Sequence, residues 1–358
     1  MASQTLSVPA KPRFQFKPRF RKLLPYIGIS ALGLVILLLF LAPLGYMSLT
    51  AFKTIVQVRD PHSQWLPASP INFTYEGVEY PLLMVPTEDG VRELALVKPG
   101  REESDYVDPQ NPEAGVFTVQ GRWRTFDPVY DFNPTLDNFP TSWEQVNLGR
   151  LFRNTIFIAT LGTIGTLLSS ILVAYGFARF RVPGIGILFI ILISTIILPR
   201  QVTLIPTYIF FRTIGWGGTW LPLIVPHFFA NAYNVFLLRQ YFRSIPRDLD
   251  EAATLDGATP WQVLWHVILP QSIPALIAVG LFHFFFAWND FFEPLVYLQG
   301  REDLYTISIG MTQFNNIFNT QPGLAMAASM MAIALPLIMF FLAQRVFVQG
   351  IVVTGVEK

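Results

Sequence analysis

Asn289, Asp290 and Glu293 fall close together in the otherwise apolar run 273–298, with Trp288 and Phe292 beside them. At spacings of one, three and four, a helix carries these side chains on one face. Amides and carboxylates between aromatic rings suit a polyhydroxylated ligand: polar groups for its hydroxyls, ring faces for a pyranose. The alternative reading is that Asp290 and Glu293 stand at the edge of a span and fix helix packing. Charges inside a bilayer cost at least ~2.5 kcal/mol each and usually face a bundle interior. Arg200 and Gln201, after Pro199, are the second polar interruption, and Pro206 is expected to break the same run again. Unwound backbone at that depth is tolerated only against protein or water. Arg200 is expected to pair with Asp290 or Glu293. Asn231 and Asn234 in "FFANAYNVF" are further lining candidates, with helix-packing amides as the equal alternative.

The elements that would position these groups follow from composition. The chain has 358 residues, 52% hydrophobic and only 14% charged, where soluble domains carry about 25% charged residues. A membrane protein is implied. A net charge of +1 points to no nucleic-acid partner. The absence of Cys excludes disulfides, thiolate metal sites and Cys nucleophiles. Four scattered His residues (62, 227, 266, 283) form no metal-ligand spacing. No Gly-Lys pair exists, so there is no phosphate-binding GK[ST] loop. No catalytic constellation, metal or cofactor is expected.

A spanning helix needs about 20 mostly apolar residues. Residues 23–52 supply the first, too long for a signal-peptide core and without a convincing cleavage site. Further candidates are 151–178, 184–211, 220–242, 273–298 and 323–347. These predict an all-α integral membrane protein of six transmembrane helices. Lys11, Arg13, Lys17, Arg19, Arg21 and Lys22 precede the first span, so the basic segment 1–22 is expected in the cytoplasm. Six spans return the C-terminus to that side, and Arg179, Arg181, Arg239, Arg243, Arg247 and Arg345 agree. The expected location is a cell membrane, multi-pass in its lipid. Residues 53–150 lack a spanning run. Alternating stretches such as "INFTYEGVEYPLLMV", punctuated by Glu76-Gly77, Asp89-Gly90 and Gln120-Gly121, predict a small extracytoplasmic β-rich insert. It is read either as a spacer or as a docking surface.

Between the apolar runs lies "SIPRDLDEAATLDGATPWQVLWHVILP". Pro246 opens a helix whose first turns hold Asp248, Asp250 and Glu251, suited to the positive end of the dipole. Ala252 and Ala253 permit close approach of another surface. Asp256-Gly257 breaks the helix. Thr259, Pro260 and Gln262 restart it as a capping box. Val263, Leu264 and Val267 supply an apolar face, and Leu269-Pro270 is expected to end the helix. From the residues alone, an amphipathic bracket at the membrane interface is an equal reading.

This stretch resembles the EAA loop of ABC-importer permeases, with Glu251, Ala252, Ala253, Gly257, Leu269 and Pro270 matching and Val267 in place of the usual Ile. "LLRQYFRSIPRDLDEAA", "AWNDFFEPLVYL" and "QRVFVQGIVVTGVEK" resemble the carbohydrate-uptake branch, and in particular the second permease subunit of maltose-type importers. The similarity covers the first span and about 138 to the end, not the insert. The resemblance implies a type I importer permease: a core of 151–347 containing a cytoplasmic coupling loop, 244–272. Glu251 would make the charged contact with an ATPase subunit, Gly257 the bend, and Asp256 would belong to the same contact. The tail 348–358, including Gln349 and Gly350, would reach the interface between two ATPase subunits. A second permease subunit, an extracytoplasmic solute-binding protein and a sugar substrate are also implied, with ATP hydrolysis on another chain. Alternatives are a phosphorylated polyol as substrate, or an ion-coupled secondary transporter that uses Asp290 and Glu293 as relays.

Overall fold

The Leu148–Arg179 helix is the centre of the bundle. Its buried face is built of small and hydroxyl residues, among them Ala159, Gly162, Gly165, Thr166, Ser170 and Ala174. Small residues let neighbouring backbones approach where lipid offers no hydrophobic contrast. The Ile273–Asn289 and Ala232–Ser244 helices pack against it. The computed structural model describes residues 18–353, apart from 61–62, 88–89 and 317–318.

Four helices among the described residues are long and apolar enough to cross a bilayer: Pro25–Ala51, Leu148–Arg179, Leu221–Ser244 and Pro322–Gln344. Two bent pairs raise the number to six if each is one span: Ile185–Ile197 with Arg200–Thr213 at 97°, and Pro260–Gln271 with Ile273–Asn289 at 80°. The 97° bend falls at the interruption expected after the middle of 184–211; the 80° bend falls at Ser272, just before 273–298, and that run is itself broken further on. The first run breaks at Leu198-Pro199, where both residues are extended, because a proline pushes the residue before it out of the helical region. Pro206 does not break the run again; it lies inside the Arg200–Thr213 helix. There the Thr207 hydroxyl donates to the Thr203 and Leu204 carbonyls of the same turn. The second run breaks at Asp290, between Ile273–Asn289 and Phe292–Tyr297. Four residues on, the Pro294 ring excludes the Asp290 carbonyl from a continuing helix.

A further interruption lies within Leu221–Ser244. The chain passes through a tight turn at Val225–Phe228, and Phe229 and Asn231 are extended before the Ala232–Ser244 helix begins. Its side chains lie on the central helix at Gly162 and Gly165. A Cβ on Gly165 would stand 2.6 Å from Phe228 Cδ2, and one on Gly162 would stand 3.1 Å from His227 Cδ2. Gly165→Val is expected to force the broken segment outward and cost about 1–3 kcal/mol. A lowered melting temperature of the detergent-solubilised protein, compared with Gly176→Val, would measure this; a Cβ on Gly176 meets nothing within 4 Å.

The insert is a meander. Asn72–Tyr75, Val78–Thr87, Gly90–Lys98, Glu103–Val107 and Phe117–Gln120 pair antiparallel in chain order, and Asp127–Pro128 adds to Val78–Thr87. Glu76 and Gly77 both have positive φ (50° and 82°) and join Tyr75 to its partner Val78, the two-residue turn whose twist fits a hairpin. Leu83, Val85, Leu94, Leu96 and Tyr106 form its core. Ala68–Pro70 pairs with Tyr130–Phe132 and closes the base. Buried Gln57 ties that base down, donating to Leu66 O at 2.7 Å and accepting from Ala68 N at 2.9 Å. The last helix runs Pro322–Val353, so 348–353 of the expected tail continue it; residues 1–17 and 354–358 lie outside the described residues.

Candidate functional site

Two constellations emerge, the first of them at the Arg179 end of the Leu148–Arg179 helix. The first is the 244–272 segment. Pro246 precedes the Arg247–Leu255 helix, which ends with Asp256 and with Gly257 at φ 85°. Gly257 N donates to Thr254 O and Ala258 N to Ala253 O, at 3.0 and 2.9 Å. This paired closure requires a left-handed residue after the helix. Thr259 and Gln262 form the expected reciprocal cap, with Pro260 at the first turn. The helix then widens into a π turn over Leu264–Ile268 and passes through Pro270 to Gln271. It ends at Gln271, one residue past the expected Leu269-Pro270, and the chain bends by 80° at Ser272 into the Ile273–Asn289 helix; the wider turn takes up the misfit of a residue without an N–H.

One side of this segment is held firmly. Val263, Leu264, Ile268 and Leu269 are buried against Ala174, Tyr175, Ala178, Leu238 and Phe242; Val267 is only half-buried. Tyr175 Oη donates to Pro260 O at 2.9 Å, and Arg179 Nη2 to Ile245 O at 3.1 Å. Arg179 Nε approaches Asp250 Oδ2 at 2.8 Å, with 5% and 19% of the two side chains exposed. That approach is a charge contact and not a well-aligned hydrogen bond, since Arg179 Nε has no hydrogen-bond acceptor. Burial pushes the Asp250 carboxyl above the usual range; Arg179 and Arg247 pull it back down and Glu251 adds to the rise.

The other side is bare. Glu251, Ala252, Asp256 and Gly257 are exposed, Ala253 is half-buried, and Leu255 is 89% exposed. Trp261 and Trp265 stand beside them in edge contact, ring centroids 5.8 Å apart. Tyr175, Arg179 and Asp250 are the residues missing from the sequence reading of this site. Arg179 entered it only as a loop cation and Asp250 only as a dipole partner, since their contact joins segments far apart in the chain. Gly257→Val is expected to strain the joint by ~1–2 kcal/mol through its positive φ alone, because no atom lies within 4 Å of a Cβ there. A lowered melting temperature of the detergent-solubilised protein is the expected outcome.

The second constellation is a cavity of about 510 Å³ between the two breaks, lined by Arg200, Gln201, Asn289, Asp290, Glu293 and a group of aromatic residues that includes Phe285, Phe286 and Phe292. Arg200 Nη1 lies 3.6 Å from Glu293 Oε1, and its guanidinium sits 4.1 Å over the Phe286 ring. The expected pairing is thus with Glu293. Asp290 forms no ion pair among the described residues and sits at the break, beside the backbone N–H groups of Phe291, Phe292 and Glu293 where the chain restarts as a helix. Asn289 Nδ2 donates back to Phe285 O at 2.8 Å. Asn289, Asp290 and Glu293 do meet in one cavity, brought there by a break and not by helical periodicity.

Trp288 points away from that cavity. It is buried, stacked on Phe284, and lines a separate cavity of about 580 Å³ with Ser308 and Ser329. Asn231 and Asn234 line neither. Asn231 Oδ1 caps the Ala232–Ser244 helix by accepting from Tyr233 N and Asn234 N, and Asn234 is buried. Gln349 and Gly350 fall on the last helix, their side chains outside the described set. His227 and His283 come together, ring centroids 4.6 Å apart, with Thr166 Oγ1 3.2 Å from His283 Nε2. Among the described residues no three ligands gather into a metal site.

Residues 165–353 match the family described as binding-protein-dependent transport system inner membrane component. A probable ABC transporter permease protein of Pyrococcus horikoshii is 32% identical over 67% of this chain and 86% of its own. The lactose transport system permease protein LacG of Rhizobium radiobacter is 30% identical over 60% of this chain and 78% of its own. Among solved structures, a chain of a bacterial ABC transporter that imports the acidic polysaccharide alginate shares the fold. Its TM-score is 0.64 at 19% identity, over 92% of this chain and 98% of that one.

Proposed function

The chain belongs to the family of binding-protein-dependent transport system inner membrane components, and on that premise we propose that it is the permease subunit forming half of the path for a neutral sugar or oligosaccharide. Its drive comes from ATPase subunits that meet the 244–272 segment. The observation that carries this reading is the two-sided build of that segment. One side is latched to the central helix by Tyr175, Arg179 and Asp250; the other leaves Glu251 and Leu255 exposed. A movement imposed on the bare side is passed into the bundle because the latched side cannot yield independently.

The end carrying Arg179 is then cytoplasmic, in keeping with the basic residues in its loops, and both termini lie on that side. A second permease chain completes the path, two ATPase subunits supply the energy, and an extracytoplasmic solute-binding protein delivers the sugar. The lactose-transport relative supports a sugar. So does the cavity, where aromatic rings surround Gln201 and Asn289. Arg200 is engaged by Glu293, which leaves little free positive charge for a phosphorylated polyol. Reconstitution in proteoliposomes with the partner subunits tests the reading: ATP hydrolysis should rise only when this chain, the binding protein and a sugar are all present. Uptake driven by an ion gradient without ATPase subunits would refute it.

A further inference from the structure

The insert holds an open concavity of about 830 Å³ that the translocation site does not use, and Arg101, Arg122 and Arg124 line it with Glu102 and Trp123. Two turns frame it. In the first, after the Gly90–Lys98 strand, Gly100 N donates to buried Ser104 Oγ at 3.0 Å. A Cβ on Gly100 would stand 1.8 Å from Glu103 O, so only glycine fits this turn. The second turn is bonded to the first by Gly121 N donating to Glu102 O at 2.7 Å. Trp123 packs on the insert's core, and Arg124 lies 5.2 Å over its ring.

Three exposed guanidinium groups therefore share a concavity with one carboxylate, and none of the three forms an ion pair among the described residues. Such a cluster attracts an anion, and the planar fork of arginine takes carboxylates two-handed. The insert leaves the bundle where the Leu148–Arg179 helix begins, while the 244–272 segment is latched where that helix ends. A helix of 32 residues separates the two by ~48 Å.

We propose that the Arg101–Arg122–Arg124 concavity is a contact site for acidic side chains on the solute-binding protein, which it steers onto the permease. This rests on the reading above that such a protein delivers the substrate. An anionic lipid headgroup would meet the same guanidinium groups, and the lipid arm of the test below separates it from the protein partner. A neutral sugar would find few acceptors, because the lining presents mainly donors.

The test uses the complete transporter in nanodiscs, titrated with its sugar-loaded solute-binding protein while ATP hydrolysis is followed. Arg122→Glu/Arg124→Glu should raise the half-saturating concentration of binding protein by ~10-fold or more with the maximal rate within twofold. Arg122→Gln/Arg124→Gln should fall between. Added NaCl should weaken the wild type far more than the Glu variant. A lost maximal rate would report misfolding, and the Gln pair then decides. An unchanged half-saturating concentration in both pairs overturns the proposal. So does a shift that tracks only the fraction of phosphatidylglycerol in the nanodisc, which would make this a lipid site. A wild type that never responds to the binding protein would instead refute the proposed function.

Discussion

Glu251→Lys should abolish substrate-stimulated ATP hydrolysis while the protein still inserts, folds and assembles. The side chain is exposed and makes no ion pair among the described residues. Surface substitutions of that kind usually change stability by less than ~0.5 kcal/mol. Among the described residues nothing pairs with a negative charge at 251, and its helix-dipole contribution is only ~0.3–1 kcal/mol. A partner cleft that receives Glu251 does need the charge. Removing one member of a desolvated, hydrogen-bonded charge pair costs about 2–5 kcal/mol, so stimulation and uptake should fall ~30-fold or more. Asp250 is the informative contrast. It lies against Arg179, so Asp250→Lys would leave a buried cation beside another and disturb the chain itself. The melting temperature of the solubilised complex separates the two variants: unchanged for Glu251→Lys, lowered for Asp250→Lys. Full coupling in Glu251→Lys would remove this residue from the ATPase contact.

Features governed by neighbouring residues were legible in the sequence. The Thr259–Gln262 cap, the bend at Gly257 and the Glu76-Gly77 hairpin all follow from backbone conformations that few residue types allow. The break at Pro199 belongs with them. The break at Asp290 had a local signal that went unused, namely Pro294 four residues on. Pro206 is the opposite case, a proline that the helix absorbs. What remained hidden depends on segments meeting from afar. The Arg179–Asp250 latch, the His227–His283 pair seated over Gly162, and the turning of Trp288 into a separate cavity are products of helix packing. No spacing rule relates residues on different helices. The pairing of Arg200 was legible only as a choice between two carboxylates, because charge balance requires a partner without selecting one.

Exchanging the charges of Arg200 and Glu293 should restore transport that each reversal alone removes. The pair joins the Arg200–Thr213 helix to the Phe292–Tyr297 helix across the cavity mouth. A second contact, Thr207 Oγ1 to Tyr297 Oη at 2.8 Å, joins the same two helices. With Arg200 half exposed and the charges 3.6 Å apart, the pair contributes only ~0–1 kcal/mol to stability. Its expected weight lies in transport, on the proposal that the two bent segments part and rejoin there. Arg200→Glu would gather three carboxylates in one small cavity, and Glu293→Arg would set two guanidinium groups face to face. Each should lower uptake by ~10-fold or more, since each sets like charges against one another where the two helices meet. The double exchange should recover to within ~3-fold of the wild type. Recovery stays incomplete because an arginine at 293 forfeits the place over Phe286 that Arg200 occupies. The matching exchange of Arg200 with Asp290 should fail. The Asp290 carboxylate stands beside three backbone N–H groups where the helix restarts, and an arginine offers them no acceptor. Uptake of labelled sugar by the four variants distinguishes the cases. A double exchange at 200 and 293 no better than its worse single variant would mean that the contact does not govern opening.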